Sequence, residues 1–348
     1  MSAGTASAAP LHAALVRLLD GGDLTRAETE EVFGALMDGG VSEAVKSALL
    51  VALRVKGESP AEIAGAAAAM RARVAPMRVT RTDVVDTCGT GGDGRSTFNI
   101  STAAALVAAA GGVAVAKHGN RSVSSRSGSA DVLAELGVDI TMGPEGAGRA
   151  LDAVGIAFLF APLFHPAMKE VMGVRRELGV RTVFNVLGPL TNPAGARRQL
   201  LGVYAPALVP VIARVLADLG SEHALVVHGD GLDEITTTGT TLVGEVRGGP
   251  EAQSTVTVRE LTPEELGVPR ATLAELAGGT PRDNARQMLA VLGGEGGALA
   301  EITAANAGAA LYVGGAAADL PAGVARAREL LASGAARAKL DELRGFRA

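Results

Sequence analysis

Apolar positions in the first part of the chain recur at helical spacing. Leu11, Leu15, Leu18 and Leu19 form one stripe, and Val32, Phe33, Leu36 and Met37 form another. Asp23 and Ser42 stand where helices would start, and Gly39 with Gly40 where one would stop. Ser59-Pro60 opens a further helix, with Ser59 and Glu62 spaced as a capping box. The pattern predicts four short helices and no strand between residue 11 and about residue 75.

Near Val79 the pattern changes. Thr82 to Thr87 reads as a buried strand followed by a Gly-rich loop and a helix starting near Ser101. Alternation follows: strand Val113–Ala116, helix Ala130–Leu136, strand Val138–Ile140, helix Glu145–Val154 and strand Ile156–Phe160. Strand Leu200–Tyr204, helix Ala207–Leu219 and strand Ala224–Val227 continue it. Such alternation predicts an α/β domain with a mainly parallel sheet. Thr and Val enrichment from Glu245 to Leu261 suggests added antiparallel strands.

Composition narrows the reading. The 348 residues suit two domains, and 48% apolar content suffices for a large core. That core is built from small side chains, with 46 Gly, seven Phe, two Tyr and no Trp. Few aromatic rings and a net charge of −5 speak against nucleic-acid binding. Cys88 is the single cysteine, which excludes an intrachain disulfide and a multi-thiolate metal site and fits a reducing, cytoplasmic setting. Met1 to Pro10 lacks the pattern of a secretory leader. The longest uncharged run, Phe98 to Ala116, is broken by polar residues and glycines, so a soluble chain without a membrane span is expected.

Three loops carry candidate chemistry. Gly89-Thr-Gly-Gly-Asp-Gly94 lies between a strand and a helix, where successive N–H groups and the helix terminus favour an anion. It matches G-x-G-x-x-G, yet no acidic residue lies between Asp93 and Asp131 to hold a ribose. It also lacks the lysine of a P-loop, with Arg95 in that place. The second loop, Lys117 to Arg126, gathers basic groups and hydroxyls after a strand. The third, Asp230-Gly-Leu-Asp233-Glu234, offers adjacent hard carboxylates of the kind Mg²⁺ takes. On the residues alone, a structural glycine turn and solvated charged loops remain alternatives. Cys88 reads as a buried thiol rather than a nucleophile, and His12, His223 and His228 have no assignable partners.

Seven segments in register resemble the anthranilate phosphoribosyltransferase family. They are Gly89-Thr-Gly-Gly-Asp93, Asn99-Ile-Ser-Thr102, Lys117-His-Gly-Asn-Arg121, His165-Pro-Ala-Met-Lys169, Val174-Arg-Arg176, Gly188-Pro-Leu-Thr-Asn-Pro193 and Asp233-Glu234. The likeness spans about residues 11 to 340 and departs at Thr87-Cys88, read as strand packing.

The resemblance implies a small helical domain, residues 1–80 completed by helices from about 166–192. This would be hinged to an α/β domain over 81–348, with the active site in the cleft. It implies transfer of a phosphoribosyl group from phosphoribosyl pyrophosphate to anthranilate in tryptophan biosynthesis, with Mg²⁺ and usually in a homodimer. Phosphoribosyl pyrophosphate would meet Gly89, Gly92, Asp93, Thr97, Asn99, Ile100, Ser101, Thr102, Lys117, His118, Gly119, Asn120, Arg121, Ser122, Val123, Ser124, Ser125 and Ser129. Ser101, Asp233 and Glu234 would hold Mg²⁺, and Gly89, Asn120 and Arg175 would meet anthranilate. The rival readings are a pyrimidine nucleoside phosphorylase and a non-catalytic nucleic-acid-binding relative.

Overall fold

The computed structural model describes residues 8–122, 126–249 and 252–347. Four helices lead the chain: α1 (Ala8–Leu19), α2 (Arg26–Asp38), α3 (Glu43–Lys56) and α4 (Pro60–Arg71). Capping residues set the starts of α2, α3 and α4. Ser42 accepts from the Val45 N–H, and Ser59 forms a reciprocal box with Glu62. The start of α2 falls at Thr25, boxed with Glu28, and not at Asp23. Asp23 instead receives the Lys56 ammonium at 2.5 Å, and Lys56 also reaches the buried Glu62 at 2.9 Å.

The larger part alternates. It runs β1 (Val85–Asp86), α5 (Ile100–Ala110), β2 (Val115–Gly119), α6 (Ser129–Glu135), α7 (Pro144–Val154), β3 (Ile156–Phe160), α8 (Ala161–Phe164), α9 (Lys169–Leu178) and α10 (Phe184–Leu187). It continues with β4 (Arg198–Gly202), α11 (Leu208–Asp218), β5 (His223–Gly229), β6 (Thr241–Gly249), β7 (Ala252–Leu261), α12 (Pro281–Leu292), α13 (Ala298–Val313), α14 (Leu320–Ala332) and α15 (Ala335–Gly345). Among the described residues seven strands form one sheet in the order β3-β2-β1-β4-β5-β6-β7. The first five pair in parallel; β6 lies antiparallel to β5, and β7 antiparallel to β6. The chain steps outward from β1 to β3 and then returns to β1's other side at β4. That reversal opens a crevice at the carboxyl ends of β1 and β4, where open α/β sheets receive ligands.

Period-two alternation divides the sheet residues between faces. Leu200, Leu225, Val227 and Val243 pack with α5 and α12 to α15, whereas Leu201, Ala224, Val226 and Val246 share a core with α11 and the N-terminal helices. That second core also takes Val171 and Val174 of α9, and Phe184 and Leu187 of α10. The segment after α8 therefore packs against α1 to α4.

Several expected boundaries move. The strand expected from Thr82 to Thr87 pairs only at Val85 and Asp86; Thr82 and Asp83 are exposed, and Asp83 pairs with Arg81 at 2.8 Å. Val138–Ile140 is not a strand. The Val138 N–H donates back to Leu133 O, and the Asp139 carboxylate closes a turn on the Thr141 N–H, so Val138 and Ile140 are buried without a partner strand. Strand β2 extends through Lys117, His118 and Gly119, which pair in register with Phe158, Leu159 and Phe160. Lys117 and His118 thus belong to the sheet and not to the loop after it.

Candidate active site

The Gly89–Gly94 loop leaves β1 and stays on β4 through a bridge from Gly89 to Gly202 and a bond from the Thr90 N–H to Gly202 O at 2.9 Å. Gly91, Gly92 and Gly94 all have left-handed φ, at 64°, 78° and 73°. A side chain is shut out at Gly89 for another reason. A Cβ there would lie 2.4 Å from Asp233 Oδ2, so the acidic loop closes directly over the Gly loop.

Asp233 and Glu234 follow β5 and turn inward. Asp233 Oδ2 accepts the Gly91 N–H at 2.8 Å, and Glu234 Oε1 accepts the Ser101 N–H at 3.1 Å, in the first turn of α5. The acidic loop is therefore no solvated acidic tip. Burial, with Asp93 close by, pushes the Asp233 carboxyl up to about 6, and burial with Asp233 beside it pushes Glu234 up to about 8.

Alternation along β2 sends its two basic residues to opposite faces. Lys117 is 3% exposed; its ammonium donates to Thr87 O at 2.6 Å and to Ser101 Oγ at 3.3 Å. Burial lowers its pKa, while Asp86, Cys88, Glu234 and Asp233 oppose that shift. His118 faces the helical side, with Nδ1 3.1 Å from Gly188 O and Nε2 3.2 Å from His165 Nε2. A carbonyl only accepts, so His118 Nδ1 carries the proton. Burial holds the ring neutral, at about 3, so its Nε2 accepts from His165 Nε2–H. His165 Nδ1 is then a bare acceptor, buried and without a partner among the described residues.

Beneath these groups Asp86 is fully buried and accepts from Asn192 Nδ2 at 2.7 Å, from Cys88 Sγ at 3.2 Å and from the His118 N–H at 3.1 Å. Asn192 also reaches Ala116 O at 2.8 Å, and Gln199 donates to Pro189 O at 2.7 Å. The Gly188–Pro193 segment is in this way sewn to the centre of the sheet. Burial, reinforced by Asp86, raises the Cys88 thiol well above its ordinary value, which suits packing and not nucleophilic attack.

The remaining expected residues divide by accessibility. Ile100 and Thr102 are buried in α5, which leaves the Ile100 side chain in the core and the Thr102 hydroxyl without a partner among the described residues. Asn99 does not cap α5. It bonds Ser127 and Asn284, and so ties the loop before α6 to α12. Thr97 bridges to Ala277. Gly119 leaves no room for a Cβ, which would meet Ser129 Oγ at 2.3 Å; Ser129 donates to Asn120 O. Arg121 is paired with Asp131 at 2.8 Å, whose other oxygen accepts the Ser122 N–H. The basic groups expected to leave β2 together are thus dispersed: two lie within the sheet, Arg121 is paired and Arg126 is exposed. Val123, Ser124 and Ser125 lie outside the described residues. Arg175, on α9, stacks on Phe184 at 5.3 Å and has no ion pair among the described residues.

Sequence reading missed Asp86, Arg181 and Tyr204. Arg181 Nη2 donates to Gly92 O at 2.5 Å, and its guanidinium lies 4.1 Å from the Tyr204 ring centroid. No local motif marks either contact.

Three carboxylates, Asp93, Asp233 and Glu234, repel one another here, and the last two also act on the buried ammonium of Lys117. A divalent cation fits that surplus of negative charge, with Asp233, Glu234 and the adjoining Ser101 hydroxyl as its protein oxygens. No group of three or more His, Cys, Asp or Glu has ligating spacing among the described residues. Phosphate and water oxygens would have to complete the shell, as Mg²⁺ ordinarily requires.

A helical bundle packed on an α/β sheet with a phosphate-type crevice defines a class of glycosyl-transferring enzyme. Residues 12–74 match the family described as "Glycosyl transferase family, helical bundle domain", and residues 81–337 match "Glycosyl transferase family, a/b domain". The anthranilate phosphoribosyltransferase of Anaeromyxobacter dehalogenans (strain 2CP-C) is 58% identical over 330 residues, 95% of this chain and 96% of that one. The crystal structure of the Thermus thermophilus anthranilate phosphoribosyltransferase is 50% identical with a TM-score of 0.89, covering 96% of this chain and 98% of that one. The Saccharomyces cerevisiae enzyme in complex with PRPP and Mg is 29% identical with a TM-score of 0.85, covering 96% and 97%. The chain belongs to the anthranilate phosphoribosyltransferase family. That sets aside the phosphorylase and nucleic-acid readings.

Proposed function

We propose that the chain transfers the phosphoribosyl group of phosphoribosyl pyrophosphate to the amine of anthranilate, in tryptophan biosynthesis. The observation that carries the site assignment is the convergence of the Gly loop, Lys117 and the half-buried Asp233-Glu234 pair at the β1/β4 crevice. The donor is assigned to Gly89, Gly92, Asp93, Thr97, Asn99 to Thr102, Lys117 to Ser125 and Ser129. Ile100 and Thr102 would act through backbone and packing, because their side chains are buried.

Asp233, Glu234 and Ser101 would hold Mg²⁺, which when bound offsets negative charge on the departing pyrophosphate. Lys117, held at the base of the site, adds positive charge on the same side. The C–O bond to pyrophosphate breaks as the C–N bond to the amine forms, and the amine proton is released afterwards. Gly89, Asn120 and Arg175 are assigned to the acceptor, where a guanidinium matches its carboxylate. Desolvation against Phe184 lowers the Arg175 pKa, so a bound carboxylate would meet a poorly hydrated cation.

The assignment extends to a helical domain of residues 1–80 with about 166–192, an α/β domain over 81–348, a homodimer and a cytoplasmic setting. No helix among the described residues is long and apolar enough to cross a membrane. Loss of anthranilate fluorescence on mixing purified protein with anthranilate and phosphoribosyl pyrophosphate tests the reaction. Turnover is expected with Mg²⁺ and not in chelator; no turnover with Mg²⁺ overturns the reading.

A further inference from the structure

Gly91, Gly92 and Gly94 lie in left-handed conformations that a glycine chain leaves easily, so something outside the loop must select this one. Two side-chain contacts from outside the loop grip it. Asp233 accepts the Gly91 N–H from the sheet side, and Arg181 donates to the Gly92 carbonyl from the segment between α9 and α10. Arg181 is itself backed by the Tyr204 ring, and the Tyr204 N–H bonds Thr90 Oγ1 at 3.0 Å. Arg181, Gly92, Thr90 and Tyr204 therefore make a closed ring of contacts spanning the helical side and the strand ends.

An exposed arginine stacked on tyrosine is an ordinary surface feature. Its bond to Gly92 is what gives it a consequence here. A trans peptide holds C=O and N–H on opposite sides, so pinning Gly92 O toward Arg181 turns the Asp93 N–H away from it. The orientation of that amide decides whether the loop is a preformed anion nest.

We propose that Arg181 is a positioning residue for the phosphoribosyl donor: it clamps the Gly92 carbonyl and so presets the Gly loop before the donor arrives. The proposal rests on the phosphoribosyltransferase reading and adds a residue to it. Arg181 also lies six positions after Arg175, so one short segment serves both the acceptor side and the donor loop.

The test compares wild type with Arg181→Ala, Arg181→Lys and Tyr204→Leu by amide hydrogen exchange of ligand-free enzyme and by steady-state kinetics. Loss of one hydrogen bond to the loop should speed exchange at Gly91 to Gly94 and raise the phosphoribosyl pyrophosphate KM by about tenfold in Arg181→Ala. The anthranilate KM and kcat should change by less than about threefold, the scale of a surface substitution. Arg181→Lys should recover part of both effects, and Tyr204→Leu should show a weaker form of them. Unchanged ligand-free exchange with a raised donor KM would show direct contact with the donor and overturn the clamp. An unchanged donor KM, or equal rises for both substrates, would overturn it as well. A wild-type enzyme without turnover would defeat the functional reading alone, since the exchange measurement needs no reaction.

Discussion

Opposite ends of the central sheet carry similar side chains in opposite electrostatic states. At the carboxyl end, burial raises Asp233 and Glu234 far above the ordinary carboxylate range, reinforced by Asp93 beside the first and Asp233 beside the second. At the amino end, Glu245 is held down to about 2, because His223 at 3.0 Å, Arg247 at 2.8 Å and the Tyr312 hydroxyl at 3.0 Å all converge on it. That end also carries an open pocket of about 400 Å³, lined by Arg198, Glu222, His223, Arg247 and Tyr312. Its charges already answer one another, with Arg198 on Glu222 at 3.0 Å. The crevice over β1 and β4 is where charge is left unanswered. On the proposed reading, unanswered charge and not hollow volume marks the place prepared for ligands.

The acidic pair should respond most strongly to substitution. Asp233→Asn with Glu234→Gln should reduce kcat/KM by on the order of a hundredfold or more, the scale of losing preorganised electrostatic stabilisation. Stability should hold or rise, since the change removes carboxylates whose ionisation the folded site disfavours. Steady-state assays at limiting Mg²⁺ together with thermal melts check this, and near-normal turnover would remove the metal assignment. Arg175→Ala comes next. It should raise the anthranilate KM roughly ten- to a hundredfold, the range for ~1.5–3 kcal/mol, and leave donor affinity nearly unchanged. A stability loss with unaltered acceptor dependence would make Arg175 a packing residue on Phe184.

The smallest effect sharpens the contrast by pH. Folded-state pKa values of Asp233 and Glu234 are raised, so the unfolded chain releases these protons first. Stability of the metal-free enzyme should fall as pH rises from about 4 to about 8. Glu245 runs the other way: its stabilisation is present above the unfolded carboxylate value and is lost as pH falls toward about 2. Glu245→Gln should therefore flatten only the acid limb, at a cost of about 1–2 kcal/mol, with kinetics unchanged. Thermal midpoints across pH, with and without Mg²⁺ and phosphoribosyl pyrophosphate, separate the two limbs. A shift of the neutral limb in Glu245→Gln would contradict the assignment.

Local signals were legible in the sequence, and distant ones were not. The Ser59 box, the Gly loop and the Asp233-Glu234 pair could be read because each is contained within a few residues. Helical and strand periodicities likewise returned most elements, since each reports one buried face. Val138 to Ile140 misled because burial in a turn and burial in a strand leave the same apolar signature. Lys117 and His118 were read as loop residues because charge in a central strand runs against composition. Only the structure shows that Thr87, Ser101, Gly188 and His165 satisfy them. Asp86 meets Asn192 across 106 residues, and Arg181 meets Gly92 across 89, separations that no spacing rule reaches.

The core that α1 to α4 share with Val171, Val174, Phe184 and Leu187 bears on how the chain is made. A ribosome releases α4 long before α9 exists. At about 5–20 residues per second, the hundred or so residues between them take on the order of 5–20 s to emerge. Through that interval the leading helices present apolar surface that only later chain can cover. Vectorial synthesis thus leaves the apolar face of the N-terminal bundle open until the α/β sheet is partly made.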